Sequence, residues 1–307
     1  MKKLFEGRKK RFGDRKDGFK VRNLDPMTRL TGYIMNEKTD AWVLFEEDLD
    51  ITHTQAFIKE HKEDLPGLSL YHIMYAAMVR MISQTPQINR FCIHNNVFAR
   101  NEIKIAMVVK RGMKQDSDRS AITPRFSPDD TLKDVMDRIE AEVSKFDRTV
   151  DKVEEDENAQ GLDKLEIVLS MIPDFILRFV VWLLKFLDRY GLLPKFLTDL
   201  SPFHASLFIT NMGSFGMDSV YHHIYEFGTV SGFGGIGMKK IRYETKRNGE
   251  RVRKVYIPFK FVIDERICDG YTYGVAFKQI RDYIARPEQL LTPPEKIYED
   301  IIDRKRK

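Results

Sequence analysis

Apolar and polar positions alternate with a period of two along residues 252–262. Val255, Ile257, Phe259 and Phe261 fall on one side, and Tyr256, Pro258, Lys260 and Val262 on the other. That pattern predicts a strand with one face in a core, ending in an acidic turn, Asp264-Glu265-Arg266-Ile267-Cys268-Asp269-Gly270. Residues 41–51, AWVLFEEDLDI, begin as an apolar strand and become acidic. Two more strands are predicted at about 91–99 and 103–110, with Asn95-Asn96 as a hairpin turn, and another where 205–217 begins. Helical spacing separates these strands. Residues 52–64 follow a Thr52 or Thr54 cap, and LYHIMYAAMVRMISQ follows Ser69 and stops at Thr85-Pro86. Ser127-Pro128-Asp129-Asp130 reads as a helix start with proline in the first turn, and Leu132, Val135, Met136, Ile139 and Val143 then share one face. A last helix, about 271–285, turns Tyr273, Ala276, Phe277 and Ile280 inward.

Two stretches break the alternation. Residues 147–164 are acidic with no apolar period and predict an exposed connector. Residues 165–200 are mostly Phe, Ile, Leu, Val and Trp182, with Pro173 and Gly191-Pro194 dividing them. Asp174, Arg178, Lys185 and Asp188-Arg189 form one narrow helical stripe. No charge-free run is long enough to cross a bilayer. A helix apolar over most of its circumference is buried against neighbours or a partner subunit, lies in a membrane surface, or closes over an acyl chain.

Composition narrows the class. Hydrophobic residues make up 42% and charged residues 32%, enough for a sizeable core and too ordered a mixture for a disordered chain. Cys92 and Cys268 make neither a disulfide framework nor a metal pattern. MKKLFEGRKKRFG has no secretory h-region. A cytoplasmic protein is expected, peripheral to a membrane if 165–200 meets one. The net charge of +5 is uneven, because ten Lys/Arg and three Asp/Glu fall within 1–22. The expected organisation is therefore a basic, solvated N-terminal tail over 1–22 and a single domain over 23–307, with an apolar insertion at about 165–200. A nucleic-acid partner is not expected. Glycines 232, 234, 235 and 237 fit neither a P-loop nor a dinucleotide fingerprint and read as strand glycines. His222-His223 lack further clustered ligands, so no metal is expected. His72 reads as a core or rim histidine.

The turn at 265–270 resembles the active-site signature of the chloramphenicol acetyltransferase family and of the 2-oxoacid dehydrogenase acyltransferase catalytic domain. Those families carry His-x-x-x-Asp-Gly after a long strand. Asp269-Gly270 match its end, while Glu265 stands at the histidine position. Thr210, Asn211 and Gly213 are similar to the families' second motif, a strand and turn with a hydroxyl, an Asn and a Gly. The resemblance covers about 23–291, broken by 147–200. It implies a two-layer α/β sandwich, a mixed sheet with helices on one face, assembled as a trimer. It further implies an active site between subunits, where the histidine of one faces the hydroxyl of the next, and coenzyme A enters with an acyl group. Carried over, Glu265 takes the base's place and Thr210 the oxyanion donor's. Asp269, Asn211 and Gly270 shape the site, and Arg29 is the expected partner of Asp269. His223 is a candidate source of the missing imidazole. About twenty residues precede the match, so no lipoyl domain is expected. Imidazole suits proton transfer near neutrality, whereas a glutamate serves as base only where burial raises its pKa. The sequence thus supports an acyl-CoA-dependent acyltransferase acting on a small-molecule acceptor, or a catalytically silent trimer that binds ligands or a membrane.

Overall fold

The long strand predicted from the alternation organises the sheet. The computed structural model describes residues 2, 4–110, 119–155 and 172–303. Strand β11 (Arg251–Asp264) pairs antiparallel with β2 (Trp42–Asp50) along one edge. Along its other edge it pairs antiparallel with β10 (Lys240–Thr245) and then β9 (Gly232–Ile236). Beyond β9 the sheet continues in parallel through β8 (Leu207–Asn211) to β5 (Ile103–Lys110). The antiparallel strands β6 (Arg119–Ile122) and β7 (Arg125–Phe126) pair with β5 and complete it. A smaller antiparallel sheet orders β1 (Gly18–Lys20), β4 (Asn96–Arg100) and β3 (Arg90–Ile93).

The period of two sorts the main sheet into two faces. Val255, Ile257, Phe259, Phe261 and Ile263 of β11 point into the large core, with Leu207 and Ile209 of β8. Helices α2 (Thr52–Glu60), α3 (Leu70–Gln84), α4 (Leu132–Glu155) and α7 (Gly270–Ala285) supply the opposing side chains. The opposite face carries a smaller cluster, Ala106, Phe208, Phe233 and Val262, covered in part by Ile224 of the 217–231 loop. This is the expected mixed sheet with helices on one face. The glycines of 232–236 are strand residues, and Gly235 has a physical reason. A Cβ there would stand 2.6 Å from the Val220 carbonyl oxygen of the crossing loop.

Several local expectations shift. Helix α4 starts at Leu132 rather than at Pro128, because Asp130 accepts the Ser127 amide and closes a turn first. It continues to Glu155, so the first part of the acidic stretch is helix; 156–171, which include the rest of that stretch and the start of the apolar one, lie outside the described residues. The β3–β4 turn centres on His94 and Asn95, at φ of 48° and 61°, one residue before the expected pair. His72 is half-buried in a capping box with Ser69 at the start of α3.

The largest difference is at residues 4–22, which are built into the fold rather than solvated. Leu4, Phe5, Phe19 and Val21 are core residues, and β1 pairs with β4. Arg22 donates its amide to the Ile302 carbonyl at 2.7 Å, and Arg8 and Arg11 pair with Asp303. Helix α5 (Asp174–Arg189) is joined here too. Arg15 bonds the Asp188 carboxylate at 3.1 Å and holds Asp17 at 2.9 Å. His204 Nε2 and the Gly228 amide meet the same Asp188 carboxylate at 3.2 and 3.1 Å. Burial pushes that carboxyl up, but His204 and Arg15 outweigh it and hold it below its ordinary value.

Candidate functional site

Strand β8 delivers Thr210 to the face without helices. Leu207 and Ile209 point to the large core and Phe208 to the smaller cluster, so alternation puts Thr210 beside Phe208. The residue is half-buried, and among the described residues its hydroxyl bonds only Met212 Sδ, at 3.8 Å. Sulfur is a weak acceptor, so the hydroxyl keeps its proton available for a better one. Asn211 faces the other way. Its Oδ1 accepts from the Tyr71 hydroxyl of α3 at 2.9 Å and from the Ser214 amide at 3.1 Å. These bonds fix the end of β8 to the helical layer. Gly213 lets the following turn pass close to β9, where a Cβ would lie 2.4 Å from the Gly237 carbonyl oxygen.

The acidic turn forms where β11 ends. Asp264 is fully buried and paired with Arg266, whose Nε and Nη2 reach its two oxygens at 2.8 and 2.7 Å. Arg266 also donates to the carbonyls of Met35 and Asn36. The Tyr273 hydroxyl donates to the Asp264 carbonyl at 2.7 Å. Glu265, between these buried residues, is exposed. Asp269 caps α7 by accepting the Thr272 amide at 2.8 Å, and the Thr272 hydroxyl, followed by that amide, lowers its pKa. Gly270 opens α7, and a Cβ there would meet nothing within 4 Å. A tight exit is therefore not what the glycine supplies within one chain.

The structure does not bring Arg29 and Asp269 together. Arg29 is exposed on α1 (Pro26–Ile34), and among the described residues no ion pair joins the two. The arginine that reaches this turn is Arg90 of β3. It donates to the Ile267 carbonyl at 3.3 Å and forms a two-pronged pair with Asp300 at 2.6 Å. Arg90 was missed because nothing in its local spacing marks it, and its partners lie far along the chain. His223 is exposed on the 217–231 loop, its ring 4.4 Å from those of His222 and Tyr225. Slight burial and then His222 lower its pKa. His222 stacks on Phe233 at 4.0 Å. Among the described residues no group of three or more His, Cys, Asp or Glu is placed to hold a metal ion.

Register separates the two principal side chains. Thr210 is level with Gly235 on β9, and Gly235 with Lys260 on β11. Glu265 lies five residues past Lys260, so the two are about 20 Å apart within one chain. One protomer alone cannot close a reaction centre around both.

Comparison with known proteins fits this architecture. A probable dihydrolipoamide acetyltransferase from Listeria monocytogenes superposes with a TM-score of 0.51 at 13% identity, covering 90% of this chain and 97% of that one. Weaker likenesses are to the dihydrolipoamide acetyltransferase of Azotobacter vinelandii (TM-score 0.48, 12% identity, 93% and 95% covered) and to a chloramphenicol acetyltransferase (0.46, 11%, 84% and 94%). No protein-family model matches, and no curated protein does. The chain therefore shares the fold of that probable dihydrolipoamide acetyltransferase.

Proposed function

We propose that the protein transfers an acyl group from a coenzyme A thioester to a small-molecule acceptor within a homotrimer. Glu265 acts in one protomer and Thr210 of the partner subunit completes the site. The observation that carries the reading is the Thr210 hydroxyl, presented at a strand end on the helix-free face and bonded to the Met212 sulfur alone among the described residues. In the reaction the Glu265 carboxylate takes the proton from the acceptor's thiol or hydroxyl as it attacks the thioester carbonyl. The carbonyl oxygen becomes an oxyanion that accepts a hydrogen bond from Thr210 of the partner subunit. Collapse expels the coenzyme A thiolate, which recovers the proton. Closure by the partner would shield Glu265 and the acceptor from bulk water. Asp269 and Asn211 keep the turn and the strand end in place, and His223 is a reserve proton carrier. The reading also includes peripheral membrane contact through α5.

A second reading is a silent trimer that only binds. Its support is Glu265 itself, which is exposed and has no hydrogen-bond partner among the described residues. Thiol release from acetyl-CoA and longer acyl-CoAs decides between them. The enzyme reading expects turnover that falls by about 10²–10⁴ in Glu265→Gln and returns at least in part in Glu265→His. Wild-type protein with no turnover on any acyl-CoA, yet stabilised by one, is the silent trimer.

A further inference from the structure

Helix α5 differs from the helices that pack on the sheet. Its C-terminal end is fixed, with Asp188 buried against Arg15 and His204. The rest stands clear of the body. Phe175 is 71% exposed, Phe179 58% and Trp182 57%. At 100° per residue, Asp174, Arg178, Lys185 and Arg189 occupy an arc of about 60°. The remaining arc is apolar, apart from the anchored Asp188. A protein partner covers one side of a helix and would leave much of that arc in water. A surrounding apolar layer covers it all.

Three further observations choose the layer. The sixteen residues span about 24 Å, short of a bilayer's hydrocarbon core, and among the described residues no helix can cross a membrane. An aromatic row flanks the charged arc, with Phe179, Trp182, Phe186 and Tyr190 following one another at 5.9, 5.6 and 4.9 Å. Indole and phenol rings settle at the boundary between headgroups and acyl chains. The charged arc presents three cations against Asp174. Among the described residues no carboxylate pairs with Arg178 or Lys185.

We propose that α5 lies flat in the surface of an anionic phospholipid bilayer, its basic row against the lipid phosphates and its aromatic row at the headgroup boundary. This rests on the peripheral contact proposed above and is independent of acyl transfer. It deepens that contact by naming the lipid chemistry.

The test uses the full chain with vesicles of phosphatidylcholine alone and of phosphatidylcholine mixed with phosphatidylglycerol, at low and high salt. Sedimentation should show binding to the mixed vesicles tighter by roughly a hundredfold at low salt, with the difference shrinking as salt rises. Trp42→Phe leaves Trp182 as the sole tryptophan. Its emission should shift to the blue on the mixed vesicles and be quenched by brominated acyl chains. Arg178→Glu with Lys185→Glu should abolish the preference for anionic lipid. Phe179→Ser with Trp182→Ser should abolish binding to both. Neither pair touches the Asp188 anchor, and an unchanged melting temperature confirms a folded protein. Equal, salt-independent binding to both vesicle types keeps the peripheral contact and overturns its anionic chemistry. No binding to either overturns both, and if α5 variants then change the oligomeric state, a second copy is the occupant.

Discussion

The hydroxyl of Thr210 and the ammonium of Lys38 show how much one side chain's surroundings decide. Thr210→Val keeps the β-branched shape that suits β8 and deletes only the donor. If the hydroxyl meets an oxyanion, kcat should fall by about 10²–10³ with the melting temperature nearly unchanged. Lys38 is buried, and its Nζ donates to the carbonyls of Tyr225 and Gly228 at 2.9 and 2.8 Å. Burial brings its pKa from 10.5 down to about 8. Below pH 8 the lysine is protonated in both folded and unfolded chains, and the full cost of burying the charge is present. Between about pH 8 and 10.5 the unfolded chain holds more of this proton than the folded one, so stability rises with pH through that window. The rise is of order 3 kcal/mol at most. Lys38→Met should remove it, which unfolding curves collected across the window against wild type would show. The variant also loses the two bonds that hold the 217–231 loop over the sheet.

At the scale of elements, α5 depends on one buried carboxylate. Asp188→Asn keeps the shape and removes the charge that answers Arg15 and His204. Breaking a buried pair in this way costs about 3–5 kcal/mol. The expected readouts are a lower melting temperature and faster amide exchange at the end of α5. The elements themselves were largely legible. Strand β11 and the interior faces of α3, α4 and α7 follow from periods of two and 3.6, which survive because each buries a whole face. The segment 4–22 did not read as structure. Its four core residues are spread among eight basic ones, and strand β1 is only three residues long, too short for any period. In the candidate site, Thr210, Glu265 and Asp269 were marked by the resemblance of their motifs to those of the acyltransferases. Arg90 could not, since its bonds to Ile267 and Asp300 are set by tertiary contact alone.

For the whole molecule, the face opposite the helices is the open question that oligomeric state answers. Leu44 and Val108 are exposed there, beside the smaller apolar cluster. A trimer built through this face would cover them and bring Thr210 toward a neighbour's Glu265. Sedimentation equilibrium should return about three times the chain mass, and Val108→Asp should shift the protein toward monomer while sparing the large core. A monomer at all concentrations ends the shared site. The junction of residues 4–22 with residues 300–303 carries a consequence of another kind. Arg8 and Asp303 meet although 295 residues of chain separate them, and Arg22 bonds Ile302 across nearly the same span. Joining segments so far apart costs loop entropy before any contact repays it. This seam should therefore zip up after the sheet has formed, and hydrogen exchange during refolding should find the Arg22 amide protected later than the amides of β11.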